Sequence, residues 1–298
     1  MKFQYNFYFL YCMKKTKFVN LSIISLIFFI FTDVFVSHSS PAYSTDNSAE
    51  PINTENTDFN CYRQYPETKY PEAKSYCHAL ANTRNAEFHQ IWKDLTAIIK
   101  DNRKIKWEDD KIKSRLLVAT WTGWNGYDDK IGKDFVTATQ DIWVTVAPEL
   151  QDFCKPFSMT ERKKITIPYR INQLLGIPPE ASEKINKRKV VQIWVDKKDL
   201  FIPTPDPEIT DHEAEVNFPE LSGFILITNE YKSWFLKQLM ANYYPWTKLG
   251  YTYDWGKHSD WGKIDPSRPV NVGLSEFIIR ENAPLKVESI SSAENYCK

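Results

Sequence analysis

The sequence lacks an excess of charge of either sign. Lysine plus arginine and aspartate plus glutamate each number 38 in the 298 residues, which gives a formal net charge of +0. A surface for nucleic acid or for an anionic membrane needs clustered positive charge, whereas basic and acidic residues are interspersed here. We therefore expect no nucleic-acid partner and no electrostatic attachment to a membrane.

A long apolar run is also missing. The apolar segment at residues 21–31 is followed by Asp33, whereas a transmembrane helix needs about 20 apolar residues. Lys14, Lys15 and Lys17 come just before this segment, and small residues follow it at 39–44. That order is typical of a cleaved secretory signal peptide, and a membrane anchor is the alternative. We predict a signal peptide over residues 1–44, with Met13 as a second candidate start, and no membrane span after its removal.

Motifs for metal binding and for a nucleophilic serine are absent as well. The acidic, proline-rich segment 200–219 has neither a His-x-x-x-His pair nor the Asp/Asn-Gly frame of a calcium loop. The segment Gly273-Leu-Ser-Glu-Phe277 lacks the second glycine of a nucleophile elbow. We therefore expect no metal, no cofactor and no catalytic serine, and we interpret the acidic segment as a solvated loop.

Cysteines are few but suggest disulfides. The chain has five, and a start at Met13 would remove Cys12 and leave an even number, as in exported disulfide-bonded proteins. The remaining four are Cys61, Cys77, Cys154 and Cys297. Of the three pairings, the short loop favours Cys61 with Cys77, which leaves Cys154 for Cys297. Four free or buried thiols are the alternative.

The pattern along the chain predicts an α+β fold. Residues 45–60 are polar and are predicted to be a disordered tether. Residues 61–298 are predicted to form a single globular domain, with a helical part at 61–130 followed by a mixed or antiparallel sheet with one prominent helix at 131–298. Apolar spacing predicts a helix over 71–100. A glycine-bearing loop at 121–129 holds Trp121 and Trp124, which either stack on a sugar ring or close one end of the core.

Several elements of the sheet part can be placed. The clearest helix covers residues 231–243, with Leu236, Leu239 and Met240 on its apolar face and Asn229 as its cap. A helical turn at 170–175 is expected to stop at Gly176. Alternating or β-branched runs predict six strands, of which the last two are expected to form a hairpin. The predicted strands cover residues 142–147, 164–168, 190–195, 224–228, 277–280 and 285–290.

The richest stretch for function lies between residues 244 and 277. It combines aromatic side chains with groups that exchange protons, which is how a pocket wall is composed. The candidate ligand-binding residues are Trp246, Tyr251, Tyr253, Trp255 and His258, with Arg170 as a further contact for an anionic group. Glu276 and Asp254 are the candidate catalytic pair, since carboxylates in an aromatic pocket differ in pKa. The alternative is that both carboxylates hold loop amides.

Four segments of the chain stand out together: Arg170-Ile-Asn-Gln-Leu-Leu-Gly-Ile-Pro-Pro179, Asp199-Leu-Phe-Ile-Pro-Thr-Pro-Asp-Pro-Glu208, Tyr244-Pro-Trp-Thr-Lys-Leu-Gly-Tyr-Thr-Tyr-Asp-Trp255 and Gly273-Leu-Ser-Glu-Phe277. In these segments the chain resembles a group of uncharacterised secreted bacterial proteins. The resemblance covers roughly the C-terminal half. It implies a bacterial, exported origin and brings no assigned activity.

Glu276 at the entrance of a late strand, with another strand soon after it, is similar to the C-terminal region of NAD-using ADP-ribosyltransferase and NAD-glycohydrolase toxins. The resemblance implies that this glutamate anchors the ribose and stabilises the cation. The chain departs from the pattern, because it has no Ser-Thr-Ser strand and only Arg170 as a stand-in for the early arginine.

Three functional hypotheses follow. The leading one is an aromatic-lined pocket for a small molecule or glycan, with carboxylate-based hydrolysis as an extension. The second is a non-catalytic secreted protein that binds a protein partner through its aromatic loops. The third is the NAD-using, toxin-like enzyme.

Overall fold

The structure, a computed structural model, describes residues 60–137, 140–156, 165–219, 227–241, 244–257 and 267–298. Besides a short helical stretch at 60–64, the α-helices in these ranges are α1 Ala73–Asn82, α2 Ala147–Cys154, α3 Ile167–Leu174, α4 Ser182–Ile185, α5 Asn229–Ala241 and α6 Ala293–Tyr296. The strands are β1 Arg115–Thr122, β2 Asp134–Val136, β3 Ile142–Val146, β4 Lys189–Asp196, β5 Leu200–Phe201, β6 Tyr251–Tyr253, β7 Val272–Ser275, β8 Phe277–Ile279 and β9 Pro284–Ser291. These elements confirm the predicted α+β class. The predicted signal peptide and all but the last residue of the tether lie outside the described ranges.

A seven-stranded sheet organises the described residues. Its strand order is β2-β9-β4-β1-β3-β8-β5, and the paired strands in it are antiparallel. β1 and β4 pair along their full length and form the centre. Successive side chains of β1 alternate between two hydrophobic cores, with Leu116 and Val118 in one and Leu117 and Ala119 in the other. β6 and β7 form a separate two-stranded sheet.

The predicted hairpin of the last two strands is wrong, although both strands exist. β8 pairs with β3 and β5, whereas β9 pairs with β4 and β2 on the other side of the sheet. Residues 280–283 therefore connect two separated positions. Alternation in sequence identifies a strand but does not identify its partner, and the buried Leu285 and Val287 of β9 complete the core beside β4.

The predicted helix over 71–100 is wrong after Asn82. Leu95 and Ile98 still pack into the hydrophobic core that contains Leu116 and Val118, but they lie in irregular structure. Their backbone N–H groups donate to the carbonyl oxygens of His212 and Ile209 at 2.9 and 2.6 Å. Bonds to distant segments thus replace the local bonds of a helix. The proposed helical part at 61–130 also contains β1, which is a central strand.

The strand predicted at 164–168 is also wrong in its described residues. Ile167 begins α3, and the Thr166 side chain accepts a hydrogen bond from the Tyr169 N–H at 3.3 Å. A threonine cap followed by a proline near the first helical position favours a helix start. α3 includes most of the predicted helical turn and ends before Gly176, whose φ is +66°. The strand predicted at 224–228 falls mainly outside the described residues, and 227–228 are not a strand.

The prominent helix is present as α5, but its cap and its face differ from the prediction. The Thr228 hydroxyl, rather than Asn229, accepts from the Tyr231 N–H at 3.2 Å. The helix packs through Tyr231 and Phe235, while the predicted face is exposed by 53%, 36% and 87% at Leu236, Leu239 and Met240. The large aromatic rings fill the space over β5 and β8, so the aliphatic side chains turn outward.

Both favoured disulfides are confirmed. Cys61 is bonded to Cys77 in α1, and Cys154 at the end of α2 is bonded to Cys297 next to the end of the chain. The second bond joins positions separated by 143 residues in sequence. It therefore ties two distant segments against the same face of the sheet.

Candidate functional site

A cavity of about 1040 Å³ lies where β1 and β3 separate. The two strands pair at only two positions, one of which joins Ala119 to Thr145. Beyond Ala119, β1 continues along β4, whereas the first residues of β3 pair with β8. Residues of both diverging segments, 120–122 and 142–144, line the cavity. Pairing that stops early thus opens a space of the size that holds small ligands.

Aromatic side chains make up much of the cavity wall. The rings of Trp143 and Trp246 meet edge to face with centroids 6.0 Å apart, and those of Trp124 and Tyr127 do so at 4.7 Å. Such contacts favour defined ring orientations. The aromatic residues of the wall are Trp121, Trp124, Tyr127, Phe135, Trp143, Tyr244, Trp246 and Tyr253. The wall therefore presents rigid apolar surface.

Glu276 joins β7 to β8 and lines this cavity. Its backbone N–H donates to the Gly250 carbonyl oxygen at 2.9 Å, which fixes the residue in place. The side chain is half-buried, and its Oε2 atom is inaccessible and has no hydrogen-bond partner among the described residues. Burial raises the pKa of Glu276 from 4.5 to about 8. At neutral pH the group is therefore mostly a neutral acid that can donate a hydrogen bond.

Two further polar atoms on the wall lack partners within the described part of the chain. Thr145 Oγ1 and Trp246 Nε1 are both buried and make no hydrogen bond. Native structures leave few buried polar atoms unpaired. Together with Glu276 Oε2, these atoms make this wall the candidate site.

Three basic side chains line the cavity, Arg84, Arg188 and Lys248, and the contacts of Lys248 and Arg188 lie inside the protein. Lys248 Nζ donates to the carbonyl oxygens of Thr83 and Arg84, and burial lowers the pKa of Lys248 to about 8. Arg188 forms a two-point ion pair with Glu180, with N–O distances of 2.7 and 3.0 Å. An anionic ligand would have to compete with these contacts. The wall therefore suits an uncharged ligand better than a phosphate or a carboxylate.

The structure brings three predicted site residues together. Trp246, Tyr253 and Glu276 all line the cavity, although they come from different segments of the stretch 244–277. Tyr253 is held there by the Asn82 side chain, which donates to its hydroxyl at 2.9 Å. Burial raises the pKa of Tyr253, so the phenol stays neutral.

Two other predicted ligand contacts, Tyr251 and Trp255, do not line the large cavity, and the position of a third is not described. Tyr251 packs into the hydrophobic core that contains Leu116 and Val118, where its hydroxyl donates to the Gln90 carbonyl oxygen at 2.9 Å. Trp255 donates from Nε1 to the Ile177 carbonyl oxygen at 3.0 Å and lines a second cavity of about 390 Å³. His258 lies outside the described residues.

Arg170 and Asp254 form a buried ion pair. Both side chains are 0% exposed, and the two guanidinium–carboxylate contacts measure 2.7 and 2.6 Å. Asp254 also accepts from the Gly256 N–H at 3.0 Å, which is the amide-holding role offered above as the alternative to catalysis. Neither residue belongs to the wall of the large cavity. The geometry thus separates Asp254 from Glu276.

Sequence reasoning missed several residues of the wall, notably Asp141, Trp143, Thr145 and Lys248. Trp143 and Thr145 are two apart in a strand that the sequence did predict, so their shared face was detectable. That the face opens onto a cavity was not detectable, because it depends on where β3 stops pairing with β1. Asp141 accepts hydrogen bonds from Trp234 Nε1 at 2.7 Å and from a backbone N–H.

Among the described residues, no group of three or more histidine, cysteine, aspartate or glutamate side chains is arranged to hold a metal ion. The helices within those same ranges are too short or too polar to cross a bilayer. Comparison with protein-family models, with curated proteins and with solved structures gave no match to this chain.

Proposed function

We propose that this chain binds an uncharged small molecule or glycan in the aromatic-lined cavity, with Glu276 as its main polar contact. The observation that carries the proposal is that Glu276 lines the cavity while its Oε2 atom is buried and has no hydrogen-bond partner among the described residues. A carboxyl group with a pKa of about 8 stays protonated at neutral pH and donates a hydrogen bond from an apolar surface. Rigid rings around it supply the apolar contacts of a ligand site.

Hydrolysis is an extension of this proposal. Acid-catalysed cleavage of a glycosidic bond uses one protonated carboxyl and a second carboxylate that activates water or attacks. Glu276 has the raised pKa required of the acid. Asp141 also lines the cavity, whereas Asp254 is buried against Arg170. In this extension, Asp141 therefore replaces Asp254 as the second carboxylate.

Export is part of the proposal. Two disulfides, Cys61–Cys77 and Cys154–Cys297, fit an oxidising compartment such as the periplasm or the exterior of the cell. The signal peptide predicted over residues 1–44 and the resemblance to secreted bacterial proteins point in the same direction.

The protein-interaction hypothesis is favoured by one observation. Leu236 and Met240, one turn apart on α5, are exposed by 53% and 87%. The NAD-using hypothesis has less support, because Arg170, its candidate cation, is buried in the ion pair with Asp254. A ligand could reach Arg170 only after that pair is broken.

The affinity for a neutral ligand is expected to fall between pH 7 and pH 9. Binding expels water from the cavity, so it favours the uncharged form of Glu276, and ionisation removes the donated hydrogen bond. We expect the dissociation constant to rise by about tenfold, the equivalent of one hydrogen bond. A thermal-shift screen of the disulfide-bonded protein against neutral sugars, nucleosides and NAD finds the ligand. Calorimetric titration at both pH values then measures the change.

Glu276→Gln should show a much smaller change in affinity between the two pH values, since its amide does not ionise. Lys248 also titrates near pH 8, but its Nζ donates to backbone carbonyl oxygens of the protein. Glu281→Gln, at an exposed position nearby, is the matched control and should keep the wild-type pH dependence. An equal pH dependence in wild type and Glu276→Gln would contradict the proposal, as would a panel with no hit. NAD as the sole hit would support the NAD-using hypothesis instead. Turnover of a glycoside that Glu276→Gln abolishes while ligand binding persists would support hydrolysis.

A further inference from the structure

The three unpartnered polar atoms of the cavity wall lie around one patch of the sheet. β8 pairs with β3 so that Phe277 is opposite Val144. Continuing this antiparallel register by one residue places Glu276 opposite Thr145, and side chains opposite each other across two strands are neighbours. Trp246 reaches the same patch, because its ring contacts that of Trp143, two residues before Thr145.

The chemistry of these atoms defines what would pair with them. An indole N–H can only donate, a protonated carboxyl donates from one oxygen, and a hydroxyl can donate or accept. Trp246 and Glu276 therefore call for two acceptor atoms on the ligand, and Thr145 accommodates either a donor or an acceptor. The closely spaced hydroxyl and ring oxygens of a sugar supply these acceptors and donors. A charged ligand fits less well, since Lys248 and Arg188 on the wall are already engaged.

Trp124 adds an aromatic surface to the same cavity. Its side chain is 59% exposed although it lines the wall, and Tyr127 contacts its ring edge to face. The ring packs so closely on Gly126 that a side chain at that position would overlap it. Backbone and Tyr127 thus support the ring while much of its surface remains accessible. An accessible, supported indole is suited to the apolar C–H face of a sugar ring.

We propose that the ligand is a neutral saccharide, that Trp124 stacks on one of its rings, and that Glu276, Thr145 and Trp246 turn their buried polar atoms toward its oxygens when it binds. This inference rests on the proposed function and narrows it to one ligand class. It also assigns specificity to Trp124 and Thr145, which lie outside the stretch 244–277. Gly126 belongs to this arrangement, because a side chain at position 126 would overlap the Trp124 ring where it now lies.

Titration of the disulfide-bonded protein with neutral methyl glycosides, N-acetylglucosamine and short neutral oligosaccharides tests the inference. At least one probe should bind more tightly than its uronate or amino-sugar analogue. Trp124→Ala should weaken that binding by about tenfold or more, and Trp124→Phe should restore most of it. Thr145→Val, which removes the hydroxyl with little change in shape, should weaken it by about two- to tenfold. Phe88→Ala, at a side chain 72% exposed and absent from the cavity wall, is the control and should leave binding unchanged.

The inference is overturned if no neutral saccharide binds, if the charged analogues bind more tightly, or if Trp124→Ala binds as well as wild type. These failures are distinguishable from a failure of the proposed function. A neutral ligand of another class, bound with the pH dependence assigned to Glu276, would overturn only the saccharide assignment. Absence of any ligand whose binding depends on Glu276 would overturn both.

Discussion

Asp254→Asn is expected to lower the free energy of unfolding by about 3–5 kcal/mol, because it removes one partner of a buried ion pair. Both side chains are 0% exposed and make two contacts of 2.7 and 2.6 Å. Water therefore cannot replace the lost carboxylate without a structural change. The pair joins α3 to the segment after β6, and Thr252 Oγ1 donates to the Leu174 carbonyl oxygen in the same contact region.

Urea unfolding at neutral pH measures this loss. Glu213→Gln is the matched control, since it breaks the Lys93–Glu213 pair, whose side chains are 79% and 50% exposed. Exposed pairs contribute about 0–1 kcal/mol. Replacing both buried partners, as in Arg170→Met with Asp254→Leu, should recover much of the loss, because apolar side chains then take the place of both buried ions. A loss for Asp254→Asn no larger than that of the control would contradict this account of the pair.

The second large effect is a decline in stability with rising pH that depends on Glu276. Its pKa is about 8 in the folded protein and 4.5 as an ordinary exposed group. Between these values the unfolded chain releases the proton and the folded chain keeps it, so rising pH favours the unfolded state. The slope is at most about 1.4 kcal/mol per pH unit, and the total is several kcal/mol. The contribution is flat below the lower pKa and above the upper one.

Glu276→Gln should remove this decline. Its stability relative to wild type is expected to rise steadily from pH 5 to pH 8, because glutamine ionises in neither state. Denaturant titrations of both proteins over that range give the difference, in which the other ionisable groups cancel. Glu281→Gln, an exposed change nearby, should show no such trend. A difference that is constant with pH would mean that Glu276 ionises normally in the folded chain.

Elements with strong local signals were predictable. The β-branched run at 190–195 became β4, the run at 142–147 became β3, and the apolar helix at 231–243 became α5. Both disulfides followed from an even cysteine count and one short loop. In each case the information lies within a short stretch of sequence or in a small set of residues.

The errors arose where distant segments decide the outcome. The segment after Asn82 lost its predicted helix because its N–H groups pair with residues more than a hundred positions away. The last two strands lie apart because β8 and β9 have different partners in the sheet. Arg170 and Asp254 were each noted as candidates, but their 84-residue separation concealed that they bind one another.

The candidate site shows the same division. Glu276 and Trp246 were found because a proton-exchanging group and an aromatic residue share one stretch. Thr145 was missed because it lies at the cavity only where β1 and β3 stop pairing. Lys248 was missed because its position depends on a hydrogen bond to the distant Thr83 carbonyl oxygen. The contacts that engage Lys248 and Arg188 within the protein, and so favour an uncharged ligand, are visible only in the structure.

The most direct test of the central claim is a carbon-13 NMR titration of the Glu276 carboxyl group in protein labelled at the glutamate side-chain carboxyl carbon. The signal that disappears in Glu276→Gln identifies the residue. A buried acid facing the cavity should titrate with a midpoint near pH 8, and a neutral ligand that uses its proton should move the midpoint higher. A midpoint near the ordinary glutamate value of 4.5 would show that Glu276 is charged at neutral pH, and it would contradict both the proton-donor role and the ligand class derived from it.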